Sequence, residues 1–241
     1  MVDGRIKLMI KCSFIITLIV MLSGCVASVQ KSIYSEGDFT LSGSLCKPQG
    51  RGPFPAVVFN HGGVGPIIGG APEETCAALA KAGFVGFSPI RRLDRPLFGH
   101  LDDVNDAVDY VKNLPYVQSS RIGVMGFSRG GLLTYQVAVQ RRDFRAVVIM
   151  ASAIHPSLNL SQAGAISAPV LVLVSENDTG SRRTRGRNTL KTTQQLFRAL
   201  KEADKDTTLI VYPAYGDDGH TLFFSVGSYW TDVIAFLHTH L

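Results

Sequence analysis

The sequence has little net charge, few cysteines and no hydrophobic run long enough to span a bilayer. Its net charge is +5, and the chain beyond the first 24 residues carries +3, which is too little to indicate a nucleic-acid partner. Cys46 and Cys76, the two cysteines beyond the N-terminal region, have no metal-ligand spacing. Internal repeats and low-complexity tracts are absent. The absence of repeats excludes repeat architectures. The low net charge gives no reason to expect nucleic-acid binding, and the cysteine spacing gives none to expect a metal site.

The chain does contain ample apolar material, arranged as short runs that alternate with amphipathic segments. Apolar residues make up 46% of the 241 residues, and α/β chains of this length commonly form one domain. The apolar runs predict strands over 56–59, 84–89, 122–125, 147–150, 169–174 and 208–212, after a hairpin over 33–45. Helical periodicity predicts helices over 73–83, 101–114, 190–201 and 229–238. Strands alternating with helices imply βαβ units and a mostly parallel sheet.

The N-terminus has the layout of a secretory signal peptide. Three basic residues precede the uncharged run 12–24. This run ends in Leu22-Ser23-Gly24-Cys25, which resembles the lipobox of bacterial lipoproteins, with Cys25 as the lipidated residue. We therefore expect a signal peptide over 1–24, a tether over 25–32 and one domain over 33–241. The protein is expected to be exported and lipid-anchored to a bacterial membrane, on the periplasmic or extracellular side. A plain signal peptide with a chance cysteine is the alternative.

The segment 121–131 contains the pattern Gly126-Phe127-Ser128-Arg129-Gly130. The apolar period changes from strand to helix at Ser128, which predicts a tight turn between a buried strand and a helix. Side chains two residues on either side of the serine would collide in such a turn, so glycine is needed there. The serine hydroxyl would be exposed at the N-terminus of the helix. This context predicts a nucleophilic serine.

A serine nucleophile needs a base, and the base needs an acid to orient it. Asp178 follows the apolar run 170–174, and His220 lies in a loop after the strand that ends near 212. Their order along the chain, Ser128, Asp178 and His220, is that of an α/β-hydrolase triad. Glu176 is an alternative acid, and the neighbouring loop residues Asp217 and Asp218 are further candidates for orienting the histidine.

The segment 102–131, which includes the helix before the serine turn, resembles the dienelactone hydrolase family of α/β-hydrolases. It is nearly as similar to the catalytic domain of prolyl-oligopeptidase-type peptidases. The resemblance covers most of 40–241 and implies an α/β-hydrolase fold, with helices on both faces of the sheet. The segment 152–168 is short, so any lid over the site is expected to be small. The resemblance assigns Ser128 as nucleophile, Asp178 as acid and His220 as base. Dienelactone hydrolases proper carry a cysteine nucleophile, so the serine favours ordinary carboxylic esters.

The oxyanion hole of such a site needs two N–H donors. The backbone of Arg129, directly after the nucleophile, is expected to supply one. The segment 61–63 resembles the family's His-Gly motif, and Gly62 or Gly63 is expected to supply the other.

Arginines cluster over 182–187, next to the expected acid. Arg182 and Arg183 are candidates for binding an anionic group of the substrate. A solvated basic loop is the equally weighted alternative.

The sequence thus predicts a membrane-anchored serine hydrolase that cleaves small-molecule esters without a metal or organic cofactor. A peptidase of the prolyl-oligopeptidase type and a non-catalytic binding lipoprotein are the two alternatives. The pairing of Cys46 with Cys76 stays open, since both also fit as buried free thiols.

Overall fold

The computed structural model describes residues 28–63, 68–93 and 97–241. The predicted signal peptide and Cys25 lie outside the described residues. The first element is strand β1 (Val29–Glu36), which begins inside the range predicted as a tether. This part of the prediction is wrong, because 29–32 pair with the next strand instead of forming a free linker. None of the described helices is long and apolar enough to cross a membrane.

The described residues form an eight-stranded sheet with the order β1-β2-β4-β3-β5-β6-β7-β8. Its strands after β1 are β2 (Thr40–Cys46), β3 (Phe54–Asn60), β4 (Val85–Pro89), β5 (Val117–Phe127), β6 (Phe144–Met150), β7 (Val170–Ser175) and β8 (Thr207–Tyr212). The predicted hairpin is formed by β1 and β2, which pair antiparallel, and β2 is also antiparallel to β4. The remaining pairs are parallel, as the alternation of strands and helices predicts.

Five α-helices within the described residues cover the two faces of the sheet. They are α1 (Pro72–Lys81), α2 (His100–Lys112), α3 (Arg129–Gln140), α4 (Thr189–Glu202) and α5 (Trp230–His240). Successive strand residues point to opposite faces, so Val58 belongs to the core that contains buried residues of α2, α3 and α4, whereas Val57 belongs to the core that contains those of α1 and α5. The centre of the sheet is therefore buried on both sides, which explains the continuous apolar runs in its central strands.

The described chain has two further features, one that was not predicted and one that the sequence left open. Short 3-10 helices form at Leu160–Ala165 and at Gly219–Phe223. Cys46 and Cys76 form a disulfide, with 5.6 Å between their Cα atoms. The disulfide joins the end of β2 to α1, and both cysteines are fully buried.

Candidate active site

The serine turn lies between β5 and α3, at the carboxyl edge of the sheet. Ser128 has φ 55° and ψ −116°, a backbone conformation that is strained for a residue with a side chain. A Cβ atom on Gly126 would lie 2.4 Å from the carbonyl oxygen of Gly130, and one on Gly130 would lie 1.8 Å from the carbonyl oxygen of Asn60. These contacts confirm the predicted reason for both glycines. The turn is held by a 2.9 Å hydrogen bond from the Ser128 N–H to the Met150 carbonyl oxygen.

The structure brings Ser128, His220 and Asp178 together. The Nε2 atom of His220 lies 3.1 Å from Oγ of Ser128, and its Nδ1 atom lies 2.7 Å from Oδ2 of Asp178. An ionised carboxylate only accepts hydrogen bonds, so Nδ1–H donates to Asp178 and Nε2 is free to accept from the serine hydroxyl. His220 is 4% exposed and Asp178 is 1% exposed. The ring of Phe127 packs against His220 with 4.8 Å between centroids, which fixes the imidazole in place.

The alternative acids have other contacts. Glu176 accepts a 3.0 Å hydrogen bond from the Ala214 N–H through Oε1. Asp218 accepts from the backbone N–H of His220 at 3.1 Å, so it caps the short helix at Gly219–Phe223 instead of contacting the imidazole ring. Asp217 is exposed. Of the acids considered from the sequence, Asp178 is the one in contact with the imidazole.

The structure separates the two glycines considered as oxyanion donors. The Gly62 N–H donates to the Gly69 carbonyl oxygen at 2.9 Å, so it is already used within its loop. Gly63 lines the cavity that contains Ser128 and His220. Arg129 is the first residue of α3, where a backbone N–H has no acceptor within the helix. Arg129 and Gly63 are therefore the donors that remain available.

Arg91 holds the loop that contains Gly62 and Gly63, and this role was not predicted from the sequence. It is 3% exposed, and its Nη2 atom donates to the His61 carbonyl oxygen at 2.9 Å. His61 in turn contacts the Gly62 carbonyl oxygen through Nδ1 at 2.7 Å. Burial and the nearby Arg91 charge lower the pKa of His61 to about 3, so the ring is neutral and Nδ1–H is the donor. The position of Arg91 two residues after the end of β4, at the carboxyl edge of the sheet, was the available signal.

A comparison with known protein families shows to which family the chain belongs. Residues 97–224 match the dienelactone hydrolase family, which is more than half of the 241 residues. The chain belongs to the dienelactone hydrolase family. The match includes the serine turn, Asp178 and His220.

Two curated relatives match part of this family member. The uncharacterized protein YcjY of Escherichia coli K12 is 32% identical over 110 residues, covering 39% of this chain and 34% of YcjY. Acyl-coenzyme A thioesterase 3 of Mus musculus is 31% identical over 112 residues, covering 44% of this chain and 25% of the thioesterase. The match thus spans about a third of one relative and a quarter of the other.

Solved structures share the fold of this dienelactone hydrolase family member. An esterase structure from Rhizomucor miehei superposes with a TM-score of 0.71 at 15% identity, covering 90% of this chain and 85% of that chain. The acylaminoacyl peptidase of Pyrococcus horikoshii also gives 0.71, at 16% identity, covering 90% of this chain and 42% of that chain. At such low identity the likeness concerns the fold alone, and it confirms the predicted α/β-hydrolase class.

Two cavities of this family member meet at Ser128. The first, which we call the basic chamber, has a volume of about 290 Å³. Its charged and titratable lining comprises Arg129, His155, Arg183, Arg185, Arg187 and His220. The second, which we call the apolar groove, has a volume of about 640 Å³. Its apolar lining consists of Ile68, Gly69, Phe127 and Phe224, and Arg182, Arg183 and Arg185 also line it. The nucleophile candidate therefore lies between surfaces of different chemistry.

Of the two arginines predicted to bind an anion, Arg183 lines both cavities and Arg182 lines the apolar groove. Arg183 pairs with Asp218 at 3.2 Å and lies over the Phe224 ring, 5.7 Å from its centroid. Arg185 lines both cavities, and Arg129 lines the basic chamber. The sequence located the cluster but did not separate its members.

Proposed function

We propose that this protein is a serine hydrolase that cleaves carboxylic esters through an acyl-enzyme intermediate. The observation that carries the proposal is the hydrogen-bonded chain from Ser128 through His220 to Asp178, with distances of 3.1 Å and 2.7 Å. A serine hydroxyl becomes nucleophilic when an adjacent, correctly oriented base accepts its proton. Membership of a hydrolase family supports the same reading.

The first half of the proposed reaction forms the acyl-enzyme. Oγ of Ser128 attacks the ester carbonyl carbon while Nε2 of His220 accepts the hydroxyl proton. The Asp178 carboxylate stabilises the resulting imidazolium. The negative charge on the former carbonyl oxygen is stabilised by the N–H groups of Arg129 and Gly63. His220 then gives its proton to the leaving alcohol.

In the second half, water replaces the alcohol. His220 accepts a proton from this water as its oxygen attacks the acyl carbon, and the same two N–H groups stabilise the second oxyanion. Collapse of the intermediate returns the proton to Oγ of Ser128 and releases the carboxylic acid. The proton transfers in both halves use Ser128, His220 and Asp178, which are already in hydrogen-bond contact.

Labelling with a fluorophosphonate probe tests the proposal. We expect the wild type and a Ser161→Ala control to be labelled, because Ser161 is exposed and its hydroxyl donates to the amide oxygen of Asn159 at 2.7 Å and not to a base. The Ser128→Ala variant should not be labelled, and its kcat on a short-chain p-nitrophenyl ester should fall about a million-fold. Labelling that persists in folded Ser128→Ala protein would refute the assignment. Parallel assays with dipeptide amides and acyl-coenzyme A thioesters separate an esterase from a peptidase or a thioesterase.

We also propose that the protein is exported and anchored to a membrane by lipid on Cys25. The lipobox-like segment 22–25 supports the anchor, and the Cys46–Cys76 disulfide supports an oxidising compartment. Metabolic labelling with a fatty acid, followed by membrane fractionation, tests both points. The wild type should be labelled and sediment with membranes, whereas Cys25→Ala should do neither. Membrane association that is unchanged in Cys25→Ala would count against the anchor.

A further inference from the structure

The basic chamber contains more positive charge than its surroundings neutralise. Of the described residues that line it, none is aspartate or glutamate. Arg187 donates from Nη1 to the Ile154 carbonyl oxygen at 2.7 Å, a neutral acceptor that leaves the charge uncompensated. Arg183 is the exception, because it pairs with Asp218. The guanidinium groups of Arg129, Arg185 and Arg187 therefore face one cavity without a carboxylate.

The concentration of positive charge is energetically unfavourable for Arg129. Its Nη1 atom is buried and has no hydrogen-bond partner among the described residues. Burial, together with repulsion by the Arg185 charge, lowers the pKa of the Arg129 guanidinium below its ordinary value. A buried donor without an acceptor, next to a like charge, destabilises the free protein. An anion between the two arginines would remove both penalties.

The turn that carries Arg185 is ordered and strained. Arg185 has φ 55°, a left-handed conformation that costs a non-glycine residue about 1 kcal/mol or more. Hydrogen bonds close this turn from Gly186 N to Ser181 O at 2.7 Å and from Ser181 N to Thr184 Oγ1 at 2.8 Å. The cation is thus held at the cavity by a defined backbone and does not sit on a free loop.

We propose that the substrate is an acyl ester of a phosphorylated alcohol, with the acyl chain in the apolar groove and the phosphate in the basic chamber. This inference rests on the proposed ester hydrolysis. The two cavities share Ser128 and His220, so one molecule can occupy both while its carbonyl lies at the nucleophile. Three uncompensated guanidinium groups match a phosphate dianion better than a single carboxylate charge.

The reaction on such a substrate balances without a further reagent. The bond between the acyl carbon and the alcohol oxygen breaks, and the bond between that carbon and Oγ of Ser128 forms. The proton from Oγ passes through His220 to the alcohol oxygen. Water then releases the carboxylic acid, and the phosphorylated alcohol leaves with its phosphate bond intact.

Three matched esters test the proposal: octanoyl glycerol phosphate, the neutral monooctanoylglycerol and the octanoyl ester of glyceric acid. At low ionic strength we expect kcat/KM for the phosphate ester to exceed that for the neutral ester about 30-fold. It should also exceed the value for the carboxylate ester. Equal values for phosphate and neutral esters, or a higher value for the carboxylate, would overturn the phosphate assignment.

Variants locate the preference. Arg185→Gln and Arg129→Gln should each reduce the ratio of phosphate to neutral kcat/KM about tenfold. Arg198→Gln, an exposed arginine on α4, is the matched control and should keep the ratio. An unchanged ratio in both chamber variants would overturn the assignment of these residues. Competition by inorganic phosphate and by glycerol phosphate distinguishes a site for free phosphate from one that binds the whole phosphorylated alcohol. We expect glycerol phosphate to inhibit more strongly than inorganic phosphate.

A binding measurement separates this inference from the proposed function. Calorimetric titration of full-length Ser128→Ala protein with glycerol phosphate should show binding, and the added Arg185→Gln change should weaken it about tenfold. If no ester is cleaved and no fluorophosphonate label is found, ester hydrolysis fails, and the titration alone decides the chamber. If neutral esters are cleaved but glycerol phosphate does not bind, only the phosphate inference fails.

Discussion

The surface between α2 and α3 and the edge of the sheet around Ser128 both contain clusters of charged side chains. Between the helices, Arg141 lies 2.7 Å from Asp109 and 2.9 Å from Asp143, and Lys112 lies 2.5 Å from Asp143. Hydrogen bonds from Arg141 hold the pKa of Asp143 well below its usual range. Each charge in this cluster has a partner of opposite sign.

Around Ser128 several buried polar atoms lack such partners. They are found, among the described residues, on His61, Arg91, Arg129 and Asp178. A buried donor or acceptor without a partner costs about 1–3 kcal/mol, so such atoms persist mainly where binding or catalysis uses them. The helix surface is thus arranged for stability, whereas the sheet edge is arranged for a ligand.

The largest expected effect is a loss of stability on acidification caused by His61. Its pKa is lowered from 6.5 to about 3, so the unfolded chain binds a proton that the folded protein rejects at pH values between these two. Stability is therefore fully present above pH 6.5 and falls as the pH drops, by about 3 kcal/mol at pH ~4. Urea unfolding of wild type and His61→Asn at a series of pH values measures this slope.

His155 provides the control for this experiment. It is also a histidine at the site edge, but it is exposed. His155→Asn should keep the wild-type dependence on pH, whereas His61→Asn should flatten it. Parallel curves for wild type and His61→Asn would contradict the burial argument, whatever the absolute stability of the variant.

The next effect comes from giving the basic chamber the acid that it lacks. Arg185→Asp would place a carboxylate near Arg129 and make the chamber resemble the paired cluster between α2 and α3. Aspartate tolerates the left-handed backbone at this position better than most residues do. We expect kcat/KM for octanoyl glycerol phosphate to fall about 100-fold, and the value for monooctanoylglycerol to fall much less.

Arg198→Asp makes the same charge change on α4, where the side chain is exposed. It should lower kcat/KM for the phosphate ester less than threefold, as expected for a screened distant charge. A similar loss in both variants would mean that overall charge, and not the chamber, determines the preference.

The sequence predicted the fold closely because the sheet is buried on both faces. The central parallel strands β3, β6 and β7 contain continuous apolar runs, and Val170–Ser175 follows the prediction for 169–174 within a residue. The serine turn could also be predicted from the sequence because it requires glycine: a Cβ on Gly130 would overlap the Asn60 carbonyl oxygen. The order of Ser128, Asp178 and His220 then predicted which side chains meet.

The remaining features depend on contacts between distant or irregular segments. The choice between Gly62 and Gly63 depends on Gly69, whose carbonyl oxygen accepts from the Gly62 N–H. Which cavity each arginine of the run 182–187 lines depends on a turn in which Arg185 is left-handed, whereas the four arginines look alike in the sequence. Composition and periodicity contain no information on such backbone reversals, so the sequence could not separate Arg185 and Arg187 from Arg182 and Arg183.

A smaller effect is expected when the ion pairs between α2 and α3 are disrupted. Arg141→Gln removes hydrogen bonds to Asp109 and Asp143 and leaves Asp143 with Lys112 as its charged partner. Because the cluster is only partly exposed, we expect a loss of about 1–2 kcal/mol in the free energy of unfolding. A double-mutant cycle with Asp143→Asn, followed by urea unfolding, isolates the pair. A coupling energy near zero would place this cluster among the ordinary surface pairs.

The smallest expected effect is a gain in the free energy of unfolding, and it distinguishes the basic chamber from the surface between α2 and α3. Arg185→Gln relieves the repulsion of Arg129 without losing an acid partner, so it should stabilise the protein. Glutamine has the same left-handed backbone cost, hence only the charge changes. Since Arg185 is exposed, screening limits the gain to about 0.3 kcal/mol at low salt. Thermal unfolding should show a slightly higher Tm that merges with the wild type at high salt. A lower Tm would mean that Arg185 already has a stabilising partner, and the chamber would then resemble the surface between α2 and α3.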